Sequence, residues 1–522
     1  MIVSIKLDVD PIKSGYKDSD ELKDNIIDFA YNLIINGAEE LEAQLTVKEV
    51  EYDISVLDKV KGIAKEVKIP KEKWASKRYI ESYADHKNFK NNILLTNEAM
   101  LNLDGTAPVN KNVIVIGGAA SGKTKCYVEP NLMQMNSSYV VTCNPSDKIF
   151  EKYREIFSVS GYTLNSFNPH SPEKSMHYNP FEYIRKDNFE KDIGLMVDTL
   201  IANTSSPYQD PYWSQMDKVL LKSCIAMIIV RCNENEKNFS SLLEMLEIEL
   251  DIEGAIEPLF IAAENLLNND FSPIAIPNGE YIKIKDTEGS LTNYEAAIYK
   301  YALKHYEVYK NTPDKTKKTI VLSCTARLNS FLNNKTLELT AYDEMELDKI
   351  DDKKSIVFIT FDFPGNEVLS AMMYAQIFNI LSAKSEKTGA LNRHVQILMD
   401  EFAETGYIPN FHSFVVTSRG RNISISICLS FICQLKLLYN DDVESIINCF
   451  DTTLLLGGIR DKASADSAAK KIGISKKLSY ELKRIPEDQC ILIFRGQKAF
   501  ISEKYDITKH PNYKKLHGKT NT

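Results

Sequence analysis

Short apolar runs recur along most of the chain, separated by polar or helical stretches. Nearly continuous apolar runs are typical of strands that are buried on both faces of a parallel sheet, since a half-exposed strand alternates apolar and polar residues. The first run is followed by a glycine-rich turn, a helical segment through Met135 and a second run, which predicts the start of a parallel α/β unit. The predicted strands are VIVI at 113–116, SYVVTCN at 138–144, SIVFITFDF at 355–363, VQILMDEF at 395–402, ISISICLSF at 423–431 and TTLLLGG at 452–458.

The region 207–318 has a different pattern. Glu, Leu, Asn and Ile recur there at helical spacing, as in SSLLEMLEIEL, and strand signals are few. We therefore predict an α/β fold with a mainly parallel sheet that is interrupted by an inserted all-α domain. The α/β domain then has a first part at 76–206 and a second part at 319–522, whereas residues 1–75 carry no chemical motif.

The turn after the first strand matches the P-loop pattern, and its position between a buried strand and a helix is the context that this pattern requires. Glycines let the backbone approach the phosphates of ATP, the lysine reaches the β- and γ-phosphates, and the threonine ligates Mg²⁺. A chance match is the alternative interpretation. The predicted nucleotide-binding residues are Gly117, Gly118, Ala119, Ala120, Ser121, Gly122, Lys123 and Thr124, of which Thr124 is also a predicted metal ligand.

An acid pair, Asp400 and Glu401, ends the apolar run at 395–399. Beside a P-loop, an aspartate at this place holds the Mg²⁺ shell, and a glutamate orients or deprotonates the water that attacks the γ-phosphate. We therefore predict Asp400 as a metal ligand and Glu401 as a catalytic residue. The alternative, in which the pair only caps a helix, is favoured when no P-loop is present.

Two arginines, Arg419 and Arg421, lie in the turn TSRGRN before the strand at 423–431. In ring-shaped ATPases an arginine from one subunit stabilises the phosphoryl transition state in the next, because a planar cation suits that charge. We predict Arg419 as this catalytic residue. The alternative is a surface arginine that pairs with a neighbouring carboxylate.

The formal net charge of −9 argues against wrapping of DNA by the whole surface, but the charge is uneven. Ten acidic residues lie between Glu234 and Asp270, whereas fifteen Lys and Arg face seven Asp and Glu after residue 459. This asymmetry either steers polyanions and partners or only keeps the protein soluble. Nine scattered cysteines predict reduced core thiols without a zinc site.

Neither a membrane span nor a signal peptide is visible in the sequence. The longest apolar candidate, Val219–Val230, is interrupted by Lys222, and the N-terminus lacks a basic start followed by an apolar stretch. The sequence therefore predicts a protein that starts and stays in the cytoplasm.

At these motifs the chain resembles the TraG-type conjugal coupling proteins, the ATPases that recruit relaxase-bound DNA to type IV secretion channels. The resemblance extends from about Ala75 onward and is carried by KNVIVIGGAASGKT, KSMHYNPFEYI, DPYWSQMDKVLL, SCTARLNSFL, LMDEFAETGYIPNF, TSRGRNISISI and KYDITKHPNYKKL. It implies a RecA-like P-loop NTPase with ATP and Mg²⁺ as cofactors. It also implies a relaxase or other nucleoprotein cargo, single-stranded DNA, channel components and a homo-hexamer, with the insertion implicated in cargo recognition.

Three features depart from the family pattern. The family reads Asp-Pro-Lys-Gly-Glu after the second strand, where this chain has Asn144-Pro145-Ser146-Asp147-Lys148. The family places a γ-phosphate-sensing glutamine where this chain has Ser430. The N-terminal membrane helices of the family are absent, so the resemblance implies a peripheral position at the inner face of the membrane, held there by a partner.

Two other functions are compatible with the same motifs. A nucleotide-gated cargo adaptor with little or no hydrolysis would fit the residues at 144 and 430. A soluble FtsK/HerA-like translocase would share the P-loop and the acid pair, but it would not explain YNPFEYI or KYDITKHPNYKKL. Turnover measurements separate the adaptor from the coupling ATPase, and neighbouring genes for a relaxase and channel components separate both from the translocase.

Overall fold

A nine-stranded sheet runs through the computed structural model, which describes residues 74–517 except 146–147, 207–208, 271, 276–280, 283–290, 362–366, 458–460 and 475–478. The sheet order is β13-β12-β11-β3-β10-β9-β4-β8-β5, and two small two-stranded sheets accompany it. The strands are β1 Asn92–Leu94, β2 Met100–Asn102, β3 Val113–Ile116, β4 Ser138–Cys143, β5 Thr163–Phe167, β6 Ile274–Ala275, β7 Tyr281–Ile282, β8 Ser355–Thr360, β9 Val395–Met399, β10 Ile423–Leu429, β11 Thr452–Leu456, β12 Gln489–Phe494 and β13 Phe500–Glu503.

The pairing from β11 to β5 is parallel throughout, and only β12 and β13 run antiparallel at one edge. Every residue of β3, β4, β8, β9, β10 and β11 is buried, which confirms that the apolar runs are strands covered on both faces. The predicted α/β class with a mainly parallel sheet is therefore confirmed.

Three strands of the large sheet were not predicted from the sequence. β5 reads TLNSF, too polar to register as a buried strand, yet it pairs in parallel with β8 at the sheet edge. β12 reads QCILIF and is buried at all but its first residue, whereas β13 alternates buried and exposed residues as an edge strand does.

Helices connect most of the strands of the large sheet and make up most of the region between β5 and β8. They are α1 Lys77–Glu81, α2 Glu129–Gln134, α3 Ile149–Val159, α4 Phe189–Thr204, α5 Pro211–Arg231, α6 Phe239–Asp251, α7 Glu257–Leu267, α8 Asn293–Lys310, α9 Asp314–Asn329, α10 Asn334–Leu339, α11 Glu367–Thr388, α12 Phe411–Ser418, α13 Cys433–Tyr439, α14 Val443–Asn448, α15 Lys462–Ile472, α16 Ser479–Leu482 and α17 Tyr513–His517.

We call the residues between β5 and β8, 168–354, the helical segment; it contains α4 to α10 and the hairpin β6–β7. Two of its longest helices, α5 and α8, begin where capping side chains satisfy free backbone amides: Asp210 accepts from the amide of Tyr212, and Thr292 with Glu295 forms a capping box. Helices lie beyond both limits of the predicted insertion, and residue 318 falls inside α9. Lys71–Thr522 forms one compact unit, and the finer division at 207–318 stays a prediction.

The apolar run Val219–Val230 lies within α5, which packs with α8, α9 and α4. Leu220, Leu221 and Ile225 on this helix are fully buried, so the run serves the core of the helical segment. Within the described ranges, no helix is both long enough and apolar enough to cross a membrane. Of the N-terminal region predicted at 1–75, residues 1–73 lie outside the described residues.

Candidate nucleotide site

The P-loop follows β3 at the carboxyl edge of the sheet. β10 lies between β3 and β9, so the loop, the acid pair and Ser430 all follow neighbouring parallel strands at one edge. The amide of Gly117 donates to the carbonyl of Leu429 at 3.0 Å, which joins the start of the loop to the end of β10. Convergence of strand ends is the arrangement in which parallel α/β sheets bind ligands.

The glycines of the loop are required by its shape. Gly122 has φ +89°, a backbone conformation that other residues rarely adopt. A Cβ at Gly117 would lie 3.0 Å from Cβ of Leu456 and closer still to Oγ of Ser121. The Oγ of Ser121 is buried and has no hydrogen-bond partner among the residues that the structure describes. The loop thus combines a tight backbone with an unsatisfied polar atom that an external acceptor or donor would satisfy.

Lys123 is only 5% exposed, and its ammonium group has three neighbours at the same distance. Nζ lies 3.1 Å from the carbonyl of Gly117, from Oγ of Ser430 and from Oε1 of Glu401. These oxygens satisfy the three N–H donors of a lysine. The structure therefore brings Lys123, Glu401 and Ser430 together, and the lysine binds oxygen atoms at the place where the P-loop pattern puts phosphate.

Thr124 and Asp400 meet directly. The hydroxyl of Thr124 donates to Oδ2 of Asp400, and the other carboxylate oxygen accepts from the amide of Glu401 at 3.1 Å. Asp400 is 2% exposed. A hydroxyl and a carboxylate oxygen in contact are the donor set that a protein offers to Mg²⁺ in a P-loop site. The two predicted metal ligands are thus adjacent.

Glu401 occupies a left-handed backbone conformation with φ +48° and ψ +53°. Such a conformation costs free energy in a non-glycine residue and is found at functional sites when the surroundings hold it in place. It turns the chain sharply after β9, so that Asp400 stays buried while the carboxylate of Glu401 is partly exposed beside Lys123. Two neighbouring carboxylates consequently have different surroundings.

ATP with Mg²⁺ fits the residues present. The tight loop, the unsatisfied Ser121 hydroxyl and the buried ammonium group of Lys123 suit an anion, and the Thr124–Asp400 pair suits a hard cation. The helical stretch that continues the loop begins at Thr124, so its first amides face the same edge. Lys123 and Thr124 would bind phosphate and Mg²⁺, respectively.

Arg419 lies away from this cluster. It starts a short turn before β10, at the amino edge of the sheet, and β10 itself is seven residues long. The backbone of Arg419 is therefore about 20 Å from the P-loop of its own chain. Its side chain is exposed, whereas Arg421 pairs with Glu386 at 2.9 Å. Arg419 cannot act on the site of its own chain, so its predicted role requires a neighbouring subunit.

Asn144 follows β4, the strand next to β9, and so lies on the same sheet edge as the acid pair. Ser146 and Asp147 of that departure from the family pattern lie outside the described residues.

Two residues of the site were not predicted. Gln434 accepts from the amides of Ser430 and Phe431 at 2.8 and 3.0 Å and thereby fixes the turn that presents Ser430 to Lys123. Lys504 donates to the P-loop carbonyl of Ser121 at 2.7 Å. Burial lowers the pKa of Lys504. Lys504 opens the stretch KYDITKHPNYKKL, and that resemblance was the one signal in the sequence that pointed to this contact.

Comparison with known proteins agrees with this geometry. The family described as Type IV secretory system Conjugative DNA transfer matches residues 71–476. The bacterial conjugative coupling protein TrwB, in a trigonal form with sulphate, has a TM-score of 0.54 at 12% identity over 84% of this chain and 94% of that one. TrwB with ADP and Mg²⁺, and TrwB with the non-hydrolysable ATP analogue ADPNP, each match with a TM-score of 0.54 at 13% identity over the same shares.

Among curated proteins, none matches this sequence. The likeness to TrwB shows a common fold and thereby confirms the RecA-like architecture expected from the resemblance. Because the family match covers most of the chain, this protein belongs to the conjugative DNA transfer family of type IV secretory systems, whose coupling proteins the sequence motifs resemble.

Proposed function

We propose that this protein binds and hydrolyses ATP as a coupling protein that recruits relaxase-bound DNA to a type IV secretion channel. The observation that carries the proposal is the cluster of Lys123, Thr124, Asp400 and Glu401 at one sheet edge. The structures of TrwB with ADP and Mg²⁺ and with the ATP analogue ADPNP support ATP and Mg²⁺ as the cofactors.

Each residue of the cluster has one task in this proposal. Bound Mg²⁺ supplies positive charge that offsets the charge developing on the transferred phosphoryl group. Lys123 exchanges its protein oxygens for phosphate oxygens, and Thr124 and Asp400 hold the cation. Release of Lys123 leaves the carboxylate of Glu401 unpaired and able to accept a proton from water.

Assembly into a homo-hexamer would bring Arg419 to a site. The residue is exposed at the sheet edge opposite its own P-loop, so a neighbouring subunit is the place where it would meet a phosphate. The membrane association proposed for the protein, peripheral at the inner face, would depend on a partner among the channel components.

Two charged regions suggest different partners. The exposed face of α6 carries Glu244, Glu247 and Asp251 beside the exposed Ile248 and Ile252, a surface that suits a basic protein such as a relaxase. The basic stretch after residue 459 suits single-stranded DNA. Because bound phosphates release counterions, the affinity for single-stranded DNA should fall steeply with salt concentration. Charge reversal at Glu244, Glu247 and Asp251 should weaken relaxase binding and leave DNA binding unchanged.

A nucleotide-gated adaptor is the second candidate function, and Ser430 favours it. A serine hydroxyl lies where the family has a glutamine, and in this structure it accepts from Lys123. An adaptor would bind Mg-ATP and release cargo on exchange, with little turnover. The family match gives no support to the third possibility, a soluble FtsK/HerA-like translocase.

Calorimetric titration of Mg-ATP tests the nucleotide site. Lys123→Ala should weaken binding at least tenfold or abolish turnover, because it removes the buried cation that the loop presents to phosphate. Lys125→Ala is the matched control: Lys125 is two positions further along, exposed, and should leave affinity unchanged. Equal affinity and turnover in Lys123→Ala and the unmodified protein would refute the assignment.

Turnover per subunit as a function of protein concentration tests the role of Arg419. If the residue acts across a subunit boundary, turnover should rise with concentration or with added single-stranded DNA. Arg419→Ala should flatten that rise without weakening ATP binding. Arg421→Ala is the control: it removes the ion pair with Glu386 and should keep the rise of turnover with protein concentration. A persistent rise in Arg419→Ala would leave that residue a surface arginine.

A further inference from the structure

The loop that carries Glu401 is held from two sides. We call residues 401–408 the acid loop; it contains a short 3-10 helix, Phe402–Thr405. On one side, the hydroxyl of Tyr439 in α13 accepts from the amide of Ile408 at 3.2 Å. The Tyr439 ring lies 5.0 Å from that of Tyr407 and 6.2 Å from that of Phe402. Aromatic packing and hydrogen bonds between Tyr439 and Ile408 thus fix this flank.

Asn203 holds the other side. Its Oδ1 accepts from the amide of Tyr407 at 2.7 Å, and its Nδ2 donates to the carbonyl of the same residue at 2.9 Å. Both backbone groups of Tyr407 are therefore satisfied by one side chain. Nδ2 of Asn203 also donates to the carbonyl of Thr199 within α4, which fixes the orientation of the Asn203 side chain.

Gly406 lets the loop come this close to Asn203. Its φ is +80°, and a Cβ there would lie 2.6 Å from Oδ1 of Asn203 and 3.1 Å from the carbonyl of Glu367. Any side chain at position 406 would therefore separate the acid loop from Asn203.

The end of α4 that bears Asn203 is itself fixed by the helical segment. Nη1 of Arg327 donates to the hydroxyls of Thr204 and Ser205, each at 3.0 Å. Nε of Arg327 donates to Asp217 in α5 at 2.7 Å, and both side chains are almost fully buried. A chain of hydrogen bonds thus connects the core of the helical segment to the acid loop.

We propose that Asn203 is a positioning residue for Glu401, acting through Tyr407 and tying hydrolysis to the helical segment. This inference rests on the proposed ATP hydrolysis. Lys123 and Thr124 stand on a different loop, so loss of Asn203 should spare Mg-ATP binding. It should lower turnover, since a displacement of about 1 Å at a catalytic group costs up to about 10²-fold in rate.

Asn379 in α11 provides a matched control, because it contacts the same helix, α4, from the α/β part. Its Nδ2 donates to Asp192, near the other end of α4, at 2.7 Å, and Asp192 keeps its partner Arg185 when Asn379 is lost. Asn379→Ala and Asn203→Ala each remove a half-buried asparagine that joins α4 to the α/β part. A merely structural effect would therefore be similar in the two variants.

The experiment measures kcat and Mg-ATP affinity of the full-length protein with single-stranded DNA present. We expect Asn203→Ala to lower kcat by about 10- to 100-fold with affinity within about twofold, and Asn379→Ala to keep kcat. An unchanged kcat in Asn203→Ala, or an equal loss in both variants, would overturn the proposal.

A second measurement separates this inference from the proposed hydrolysis. If the unmodified protein shows no turnover, hydrolysis fails as a function, and amide hydrogen exchange then decides about Asn203. The amide of Tyr407 should exchange at least about tenfold faster in Asn203→Ala, because it loses its acceptor. Unchanged protection of the peptide 402–410 would overturn the positioning role whatever the turnover.

Discussion

Two buried cations, Lys123 in the sheet part and Arg327 in the helical segment, differ in how their charge is compensated. Both side chains are 5% exposed. Lys123 is shared among a carbonyl, a hydroxyl and a carboxylate that is 28% exposed, so water and ligands can reach its partners. Arg327 pairs with an aspartate that has no exposed surface and also binds three neutral side chains.

The difference separates an exchangeable pair from a permanent one. Removing one partner of a buried ion pair leaves an uncompensated buried charge, which is strongly destabilising. In the proposed function a phosphate would replace the contacts around Lys123, so a cation–carboxylate pair would serve ligand binding in one region, whereas the other pair serves packing. Substitutions at the two pairs should therefore affect different measurements.

The largest expected effect is on turnover at the exchangeable pair. Glu401→Gln keeps the shape of the side chain but cannot accept a proton from water, so hydrolysis should fall by about 10²- to 10⁴-fold. Affinity for Mg-ATP should stay or increase, since Lys123 loses a competing carboxylate at 3.1 Å. Rapid-quench single-turnover kinetics and equilibrium binding measure the two quantities separately.

Glu404→Gln is the control in the same acid loop. Burial, followed by the nearby charges of Glu401 and Glu367, raises the pKa of Glu404. If turnover is lost in Glu404→Gln and kept in Glu401→Gln, the general base is Glu404.

Substitution in the permanent pair, Arg327 and Asp217, should lower the stability of the protein. Arg327→Met leaves Asp217 charged and buried, and we expect the free energy of unfolding to fall by about 3 to 5 kcal/mol. The double variant Arg327→Met, Asp217→Leu should recover most of that loss, because no uncompensated charge is left. Urea unfolding measures both. A single variant as stable as the unmodified protein would show that Ser323, which also donates to Asp217 at 2.7 Å, suffices.

Lys471 in α15 is a half-buried cation, which has the weakest compensation of the three and should give the smallest effect. Burial lowers its pKa to about 8, and its ammonium group donates to the hydroxyl of Thr453 at 2.6 Å. Between pH 8 and the ordinary lysine value of 10.5 the unfolded chain binds more protons, so stability rises with pH there. Below pH 8 the full cost of the buried charge persists.

Lys471→Met should therefore stabilise the protein at pH 7 by about 1 to 2 kcal/mol, after the lost hydrogen bond is counted, and this gain should shrink as the pH approaches 10. Urea unfolding at the two pH values tests the sign. Lys470→Met is the control, because Lys470 is an exposed neighbour that pairs with the exposed Glu444, and it should change stability little at either pH. If the stabilisation by Lys471→Met instead grew with pH, burial would not lower the pKa of Lys471.

The parts of the fold that were predictable are those with a local signature. β3, β9, β10 and β11 are short apolar runs, and β3 and β9 lead directly into the P-loop and the acid pair, so strand burial and the positions of Lys123 and Asp400 followed from a few consecutive residues. β5 has no such signature because its place at the sheet edge tolerates polar residues. The predicted end of the insertion, residue 318, falls inside α9, because helical spacing continues past that residue.

The supporting residues of the site had no local signature. Gln434, Lys504 and Asn203 each contact backbone atoms of another loop, and only for Lys504, through the resemblance at KYDITKHPNYKKL, did the sequence carry a signal. Arg419 illustrates the converse, since its turn was located correctly but only the sheet order shows that it lies at the edge opposite its own P-loop. Its role stays a prediction.

The position of β3 has a consequence for synthesis. Both sheet neighbours of this strand, β10 and β11, come from the last quarter of the chain, and Lys123 meets Ser430 across 307 residues. At about 5 to 20 residues per second, a ribosome needs roughly 15 to 60 s to synthesise the stretch between Lys123 and Ser430. During that time VIVI is an apolar strand with two unpaired edges, the kind of segment that aggregates or recruits chaperones. Nucleotide therefore cannot help a nascent chain to fold, because its site is completed only near the end of translation.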